Sequence, residues 1–376
     1  MSGGCKRFEV KELEIAGPIA IVGPTDFVTE PAGEIDADEI LRDPRFSLYC
    51  FDPANDSVLF VEVKDVEAVE RAPFYYQGQR EQACHLASMP FSMFVAMAKT
   101  IPPPPKSLIF VHSVGRCGST LVSKVLESVP SVHSLSEPDD LTQLARTCLK
   151  GEWPEAMMQD ALAASVAWRC KPRPGVPFAH VAIKPRAEVL TMADLLGRAF
   201  PTARHFFLYR DGLAWMRTIF RGVPPERNVY DEEINRRWER GWADTLPLVA
   251  EFLDEDHPKN IVQIRILGWA SAMEAYLKLA AMPIPTCAAR FEDLTERPEP
   301  ILRQILDFCL IEDVDWDAIR DVLGRDSQAG TVYDREARSK LNREMTEELV
   351  QDLYTMLASR PLLGRPDVRL PNTISA

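Results

Sequence analysis

The 376 residues amount to two to three domains at about 150 residues each, or to one large α/β domain with additions. With 43 Lys and Arg against 56 Asp and Glu the net charge is −13, which disfavours binding of nucleic acid or anionic membrane through an overall positive field. A local basic pocket remains compatible with that charge. Hydrophobic residues at 46% and charged residues at 26% describe a folded globular chain rather than a disordered one.

The eight cysteines stand singly, with no CxxC pair, a pattern of reduced intracellular thiols rather than of a zinc ribbon or disulfide scaffold. The opening MSGGCKRFEV has no apolar core behind its basic residues, so no secretory signal is expected. Ile261 to Ile284 is the longest apolar-looking stretch, but it carries Arg265, Glu274 and Lys278 and reads as an amphipathic helix, not a membrane span. The expectation is a cytoplasmic protein with no membrane span and no nucleic-acid partner; oligomeric state is left open.

In chain order, Phe46 to Phe51 and Val58 to Val63 flank the turn-rich Asp52-Pro53-Ala54-Asn55-Asp56 and predict a β-hairpin. Leu86, Met89, Phe94 and Met97 recur at helical spacing and predict one helix over Gln82 to Lys99. Residues 1–101 carry no catalytic motif and form an extension of unknown role. The run Pro102 to Pro105 makes 102–106 a stiff linker. From Ser107 onward short apolar runs (Leu108 to His112, Phe178 to Ile183, Arg204 to Tyr209) alternate with helical periods (Gly118 to Val129, Ala187 to Phe200). Such alternation implies α/β architecture with a parallel sheet covered on both faces. Helices are expected at 211–222, 231–254, 260–281, 298–309, 314–323 and 344–358, with a strand at Thr286 to Phe291. The principal domain thus spans 107–358, and 359–376 is expected to be a surface tail.

The most informative stretch is Leu108-Ile109-Phe110-Val111-His112-Ser113-Val114-Gly115-Arg116-Cys117-Gly118-Ser119-Thr120-Leu121. An apolar strand entering a small-residue loop and then a helix aims successive N–H groups and a helix N-terminus at one spot, an anion site. The loop departs from the nucleotide-triphosphate pattern GxxxxGK[ST], because Gly118 stands where the lysine belongs. A second stretch has Arg210 at a strand end and Thr218 two helical turns on, so that both can face one phosphate if the chain turns sharply between them. A third is Arg290-Phe291-Glu292-Asp293-Leu294, followed by Pro298 and a helix.

Together these segments resemble the sulfotransferases that use 3′-phosphoadenosine-5′-phosphosulfate (PAPS). The first resembles their 5′-phosphosulfate loop, with Arg116 as the basic residue and Gly115, Cys117, Gly118, Ser119 and Thr120 as the cradle. The second resembles their 3′-phosphate motif, with Thr218 in place of the usual Ser. The third resembles the R-[FY]-E-D-L segment after a late strand, to which a structural role is assigned. The resemblance covers Ser107 to Tyr354 and implies a three-layer P-loop-like parallel sheet flanked by helices, with an N-terminal α+β extension.

The resemblance also implies the chemistry: in-line sulfuryl transfer from PAPS to a hydroxyl or amine of a small-molecule, glycan or peptide acceptor, with no metal. Sulfuryl transfer needs a group to take the acceptor proton and cations or donors around the sulfuryl oxygens. Glu137, after the loop helix, matches the general base of the branch that sulfates tyrosine or carbohydrate hydroxyls, whereas the small-molecule branch uses a histidine. Lys184 ends a strand and matches the lysine that contacts the sulfuryl group, with Arg186 a competitor. Ser327 and Thr331, in a polar loop between late helices, are candidates for phosphate contact. Other readings are a nucleotide or small-molecule kinase, which the missing lysine opposes, and a catalytically inactive sulfotransferase-like binding module.

Overall fold

The computed structural model describes residues 4–172, 177–255, 258–327 and 342–375. Its strands are β1 (Cys5–Leu13), β2 (Phe27–Ile35), β3 (Phe46–Asp52), β4 (Ser57–Val63), β5 (Ala83–Pro90), β6 (Ser107–Ser113), β7 (Val132–Ser136), β8 (His180–Lys184), β9 (Arg204–Tyr209) and β10 (Thr286–Arg290). The helices of the first half are α1 (Ala37–Arg42), α2 (Val66–Arg71), α3 (Tyr75–Gln82), α4 (Phe91–Ala98), α5 (Ser119–Glu127), α6 (Asp140–Lys150) and α7 (Glu155–Arg169). Those of the second are α8 (Ala193–Ala199), α9 (Gly212–Arg221), α10 (Glu232–Ala243), α11 (Pro247–Glu255), α12 (Ile261–Ala280), α13 (Phe291–Glu296), α14 (Pro298–Phe308), α15 (Trp316–Gly324) and α16 (Glu347–Ala358).

The chain divides into two compact units, Met1–Leu108 with Leu126–Pro185, and Ile109–Val125 with Arg186–Ala376. The first unit draws on residues from either side of the Pro102 to Pro105 run, and the second only on residues after it.

The first unit contains an antiparallel sheet ordered β2-β1-β5-β4-β3. The expected hairpin is its β3–β4 edge, turning through a single 3-10 turn at Pro53–Asn55 with Asp56 in the left-handed region. The single helix expected over Gln82 to Lys99 is instead β5 followed by α4. Ala83–Pro90 lies between β1 and β4 and pairs with both, so Leu86 and Met89 are buried as strand residues although their spacing also fits a helix. The ring of Phe60 lies 4.7 Å from that of Trp168, whose indole N–H donates to the Phe94 carbonyl at 3.2 Å. The Lys171 ammonium donates to the carbonyls of Ile40, Asp43 and Phe46. These contacts fasten the C-terminal end of α7 and Lys171 to the N-terminal sheet, and in the same unit β7 and β8 pair in parallel.

In the second unit β9 pairs in parallel with both β6 and β10. Strands β6 to β10 together form a parallel five-strand sheet flanked by helices; the alternating pattern predicts a parallel sheet with four of these strands and lacks β7. Phe206, Phe207 and Leu208 of β9 are wholly buried, and α12 packs along α8, α9, α11 and α16. The helix expected over 231–254 is two, because Pro247 cannot continue α10 and starts α11 instead. The tail is also not a surface extension. Leu363 and Leu370 are buried, Tyr276 donates to the Pro371 carbonyl at 3.1 Å, and Ala288 exchanges backbone hydrogen bonds with Asn372 and Ile374. Burying two leucines and pairing a strand edge outweighs the solvent preference that the three prolines imply. Among the described residues no helix is long and apolar enough to cross a membrane.

Candidate functional site

In the second unit, β6 ends at Ser113 and α5 begins at Ser119, and the residues between them curl tightly. Gly115, Arg116 and Gly118 all have positive φ, at 71°, 51° and 83°. Glycine tolerates this region at no steric cost, but an arginine there is held by its surroundings. Several contacts hold the loop. Val114 N–H and the Cys117 thiol both donate to the Leu208 carbonyl, at 3.3 and 3.2 Å. Gly115 N–H donates to Ser113 Oγ at 3.3 Å, and the Trp215 indole donates to the Gly115 carbonyl at 3.0 Å. Ser119 and Thr120 are buried in the first turn of α5. The result is a curled backbone leading into a helix N-terminus, the geometry of an anion cradle.

Gly118 leaves little room for a side chain. A Cβ there would lie 3.1 Å from two atoms of the Phe291 ring, on backbone already in the left-handed region. The lysine of a nucleotide-triphosphate loop is absent from this position, and one placed there would be strained and would crowd the Phe291 ring.

Arg210 leaves the end of β9 beside the same ring, its guanidinium carbon 4.6 Å from the Phe291 centroid. Its Nη1 donates to Thr218 Oγ1 at 3.0 Å, and its carbonyl accepts from the Trp269 indole at 3.0 Å. Asp211 caps α9, accepting from Ala214 N–H at 2.8 Å. Glu292 ties the group together: its Oε1 accepts from Asp211 N–H at 3.3 Å and lies 3.8 Å from Arg210 Nε, while its Oε2 lies 3.7 Å from Arg290 Nε. Burial pulls the Arg210 guanidinium below its ordinary pKa, with Glu292 opposing. Arg210 Nε is nonetheless buried without a hydrogen-bond partner, a donor of the kind that a phosphate oxygen satisfies.

In the first unit Glu137 follows β7 and Lys184 ends β8. Their side chains form an ion pair in which Lys184 is buried and Glu137 half-buried, Lys184 Nζ donating to Glu137 Oε1, and Glu137 N–H donates to the Lys184 carbonyl at 2.6 Å. Glu137 has φ of 59°, so among the described residues two of the five non-glycine residues with positive φ, Arg116 and Glu137, are residues singled out from the sequence. Arg186 is the residue that precedes the 3-10 turn Ala187–Met192.

Thus the loop residues 115–120 lie in one unit with the Arg210–Thr218 pair, and Glu137 lies with Lys184 in the other. Ser327 is part-buried beyond the end of α15, and Thr331 lies outside the described residues. Phe291 and Glu292 lie in the segment for which the sequence implies only a structural role, and Trp215 is given no role by the sequence. The Arg290 to Leu294 segment was visible there, but its contacts with Gly118 and Arg210 depend on pairing β10 with β9.

No protein-family model and no curated protein matches the chain. Among solved structures, a sulfotransferase from Alicyclobacillus acidocaldarius is similar at 15% identity and a TM-score of 0.41, over 71% of this chain and 98% of that one. The sulfotransferase STF9 from Mycobacterium avium is similar at 12% identity and a TM-score of 0.38, over 89% and 90%. The mouse sulfotransferase SULT7A1, solved in complex with PAP, is similar at 12% identity and a TM-score of 0.37, over 71% and 88%. Likeness at these levels decides nothing about activity.

Proposed function

We propose that the protein is a PAPS-dependent sulfotransferase that moves a sulfuryl group to a hydroxyl or amine acceptor without a metal. The observation that carries the reading is the loop itself: Arg116 between Gly115 and Gly118, all three in left-handed backbone, with the Phe291 ring 3.1 Å from where a Cβ at Gly118 would stand. That geometry favours an anion held by backbone N–H groups and an arginine over a triphosphate held with Mg²⁺, and so speaks against the kinase reading.

In this reading the N–H groups of residues 115–120, the hydroxyls of Ser119 and Thr120 and the Arg116 guanidinium hold the 5′-phosphosulfate. Arg210 and Thr218 hold the 3′-phosphate, and Ser327 and Thr331 add hydrogen bonds. The bond from sulfur to the bridging phosphate oxygen breaks as a bond from the acceptor oxygen or nitrogen to sulfur forms. Glu137 takes the acceptor proton, and adenosine 3′,5′-bisphosphate leaves. Charge that develops on the bridging and sulfuryl oxygens is met by Arg116 and Lys184, whose ammonium is already desolvated beside Glu137. The four positions Arg116, Glu137, Lys184 and Arg210 are all present, which favours an enzyme over an inactive module. A domain over residues 107–358, a cytoplasmic setting and a small-molecule, glycan or peptide acceptor belong to the same reading.

The test is a mass-spectrometric screen for sulfate gain on hydroxyl and amine acceptors, with purified protein, PAPS and chelator. On the acceptor so found, Glu137→Gln keeps the shape but cannot take the proton. It is expected to lower kcat by about 10²- to 10⁴-fold, with affinity for adenosine 3′,5′-bisphosphate unchanged. Near-normal turnover by Glu137→Gln would remove Glu137 as the base. Tight binding of ATP with Mg²⁺, and none of the bisphosphate, would remove the whole reading.

A further inference from the structure

Residues 1–101 carry no motif, yet within the first unit they meet Lys184 at one point and Asp139, two residues beyond Glu137, at another. The first is Phe74, a buried residue at the N-terminal end of α3, whose ring centroid lies 5.9 Å from Lys184 Nζ. The Lys184 ammonium thus has the Glu137 carboxylate as one neighbour and an aromatic face as another. A lysine side chain carries much rotamer freedom, and a ring within about 6 Å of the ammonium is a directional restraint on it. Phe74 is itself fixed. Its carbonyl accepts from the N–H groups of Gln77 and Gly78 at 3.1 and 3.2 Å, and α2 abuts α3 so closely that a Cβ on Gly78 would come within 2.9 Å of Val69 Cα.

The second point is Asp139, 1% exposed, whose Oδ2 accepts from the Val22 N–H at 3.0 Å. The loop that carries Val22 is held in turn by α3. Tyr76 Oη and Gln77 Nε2 both donate to the Pro18 carbonyl, at 3.4 and 3.1 Å, and Arg80 donates to that of Ala20 at 3.1 Å. Arg80 is anchored by the buried carboxylate of Asp26 at 2.7 Å. A continuous set of contacts therefore runs from α3 through residues 18–22 to Asp139, two residues beyond Glu137. Glu137 occupies a backbone conformation that its surroundings must enforce.

We propose that α3 and the loop 18–22 form a positioning element for the Glu137–Lys184 pair, with Phe74 the positioning residue for the Lys184 ammonium. The inference rests on the functional reading above and adds to it that the N-terminal region governs the transfer step rather than nucleotide binding.

The experiment uses the full chain and follows release of adenosine 3′,5′-bisphosphate from PAPS with p-nitrophenol as the acceptor probe. Calorimetric titration with the bisphosphate and thermal unfolding accompany it. Phe74→Leu is expected to lower kcat about 3- to 30-fold with KM for PAPS and bisphosphate affinity unchanged, and Phe74→Tyr to restore kcat to within about twofold of wild type. Stepwise fluorination of the Phe74 ring keeps its shape while draining its negative face, so it tests the contact even if Phe74→Leu fails to fold. The expected result is a kcat that falls with each fluorine at constant thermal stability. A fluorination series with flat kcat, or a folded Phe74→Leu chain with wild-type kcat, would overturn the proposal and leave the functional reading standing. A wild-type chain that neither binds the bisphosphate nor releases it from PAPS would remove the functional reading, and this inference with it.

Discussion

Arg210 at the tip of β9 donates from Nη1 to Thr218 Oγ1 on α9 at 3.0 Å, so two residues eight apart in sequence present one cation and one hydroxyl side by side. The sharp turn between them comes from Asp211, which caps α9 immediately after the strand. A phosphate bound there would gain a fork-like donor and a hydroxyl. Arg210→Ala is expected to weaken binding of adenosine 3′,5′-bisphosphate by about 2 to 3 kcal/mol, roughly 30- to 150-fold, in a chain that still folds. Arg210→Lys should recover only part of this, because an ammonium lacks the planar fork. Isothermal titration calorimetry measures both, and unchanged affinity in folded Arg210→Ala would remove the 3′-phosphate assignment.

The two loop glycines should respond differently to alanine. At Gly115 a Cβ meets nothing within 4 Å, so Gly115→Ala carries only the cost of a left-handed alanine, about 1 kcal/mol. At Gly118 the same backbone cost is joined by a contact of 3.1 Å with the Phe291 ring. Gly118→Ala should therefore lose more stability than Gly115→Ala, and should also weaken bisphosphate binding by displacing a ring that packs on Arg210. Urea unfolding midpoints rank the two variants, and equal midpoints would mean that the ring yields freely.

A buried histidine pair gives the protein an acid limit. His112 Nε2 and His205 Nδ1 lie 3.1 Å apart on adjacent strands, and burial lowers both pKa values, that of His205 from 6.5 to about 4. A depressed folded-state value means that the unfolded chain binds protons more readily. The stabilisation is complete above pH 6.5 and is lost as pH falls toward 4. From His205 alone the loss between pH 7 and pH 5 is about 2 kcal/mol. His205→Leu is expected to flatten that part of the profile of unfolding free energy against pH, and an unaltered slope would show that His205 does not carry it.

The local elements were legible in the sequence because short-range chemistry specifies them. The Asp52 to Asp56 turn announces the β3–β4 hairpin, and the strand, small-residue loop and helix around Arg116 can be read from a dozen consecutive residues. Alternating apolar runs and helical periods likewise implied the parallel sheet. Leu86 and Met89 misled because their spacing suits a helix and a strand equally, and only the partners on both edges of β5 decide between them. The same holds for the site. Spacing could bring Arg210 to Thr218 across one turn and two helical turns. It could not put Phe291 over Gly118, Glu292 between two arginines, Phe74 against Lys184 or the tail along β10. Those residues are far apart in the chain and meet because sheet pairing and the burial of apolar surface bring their elements together.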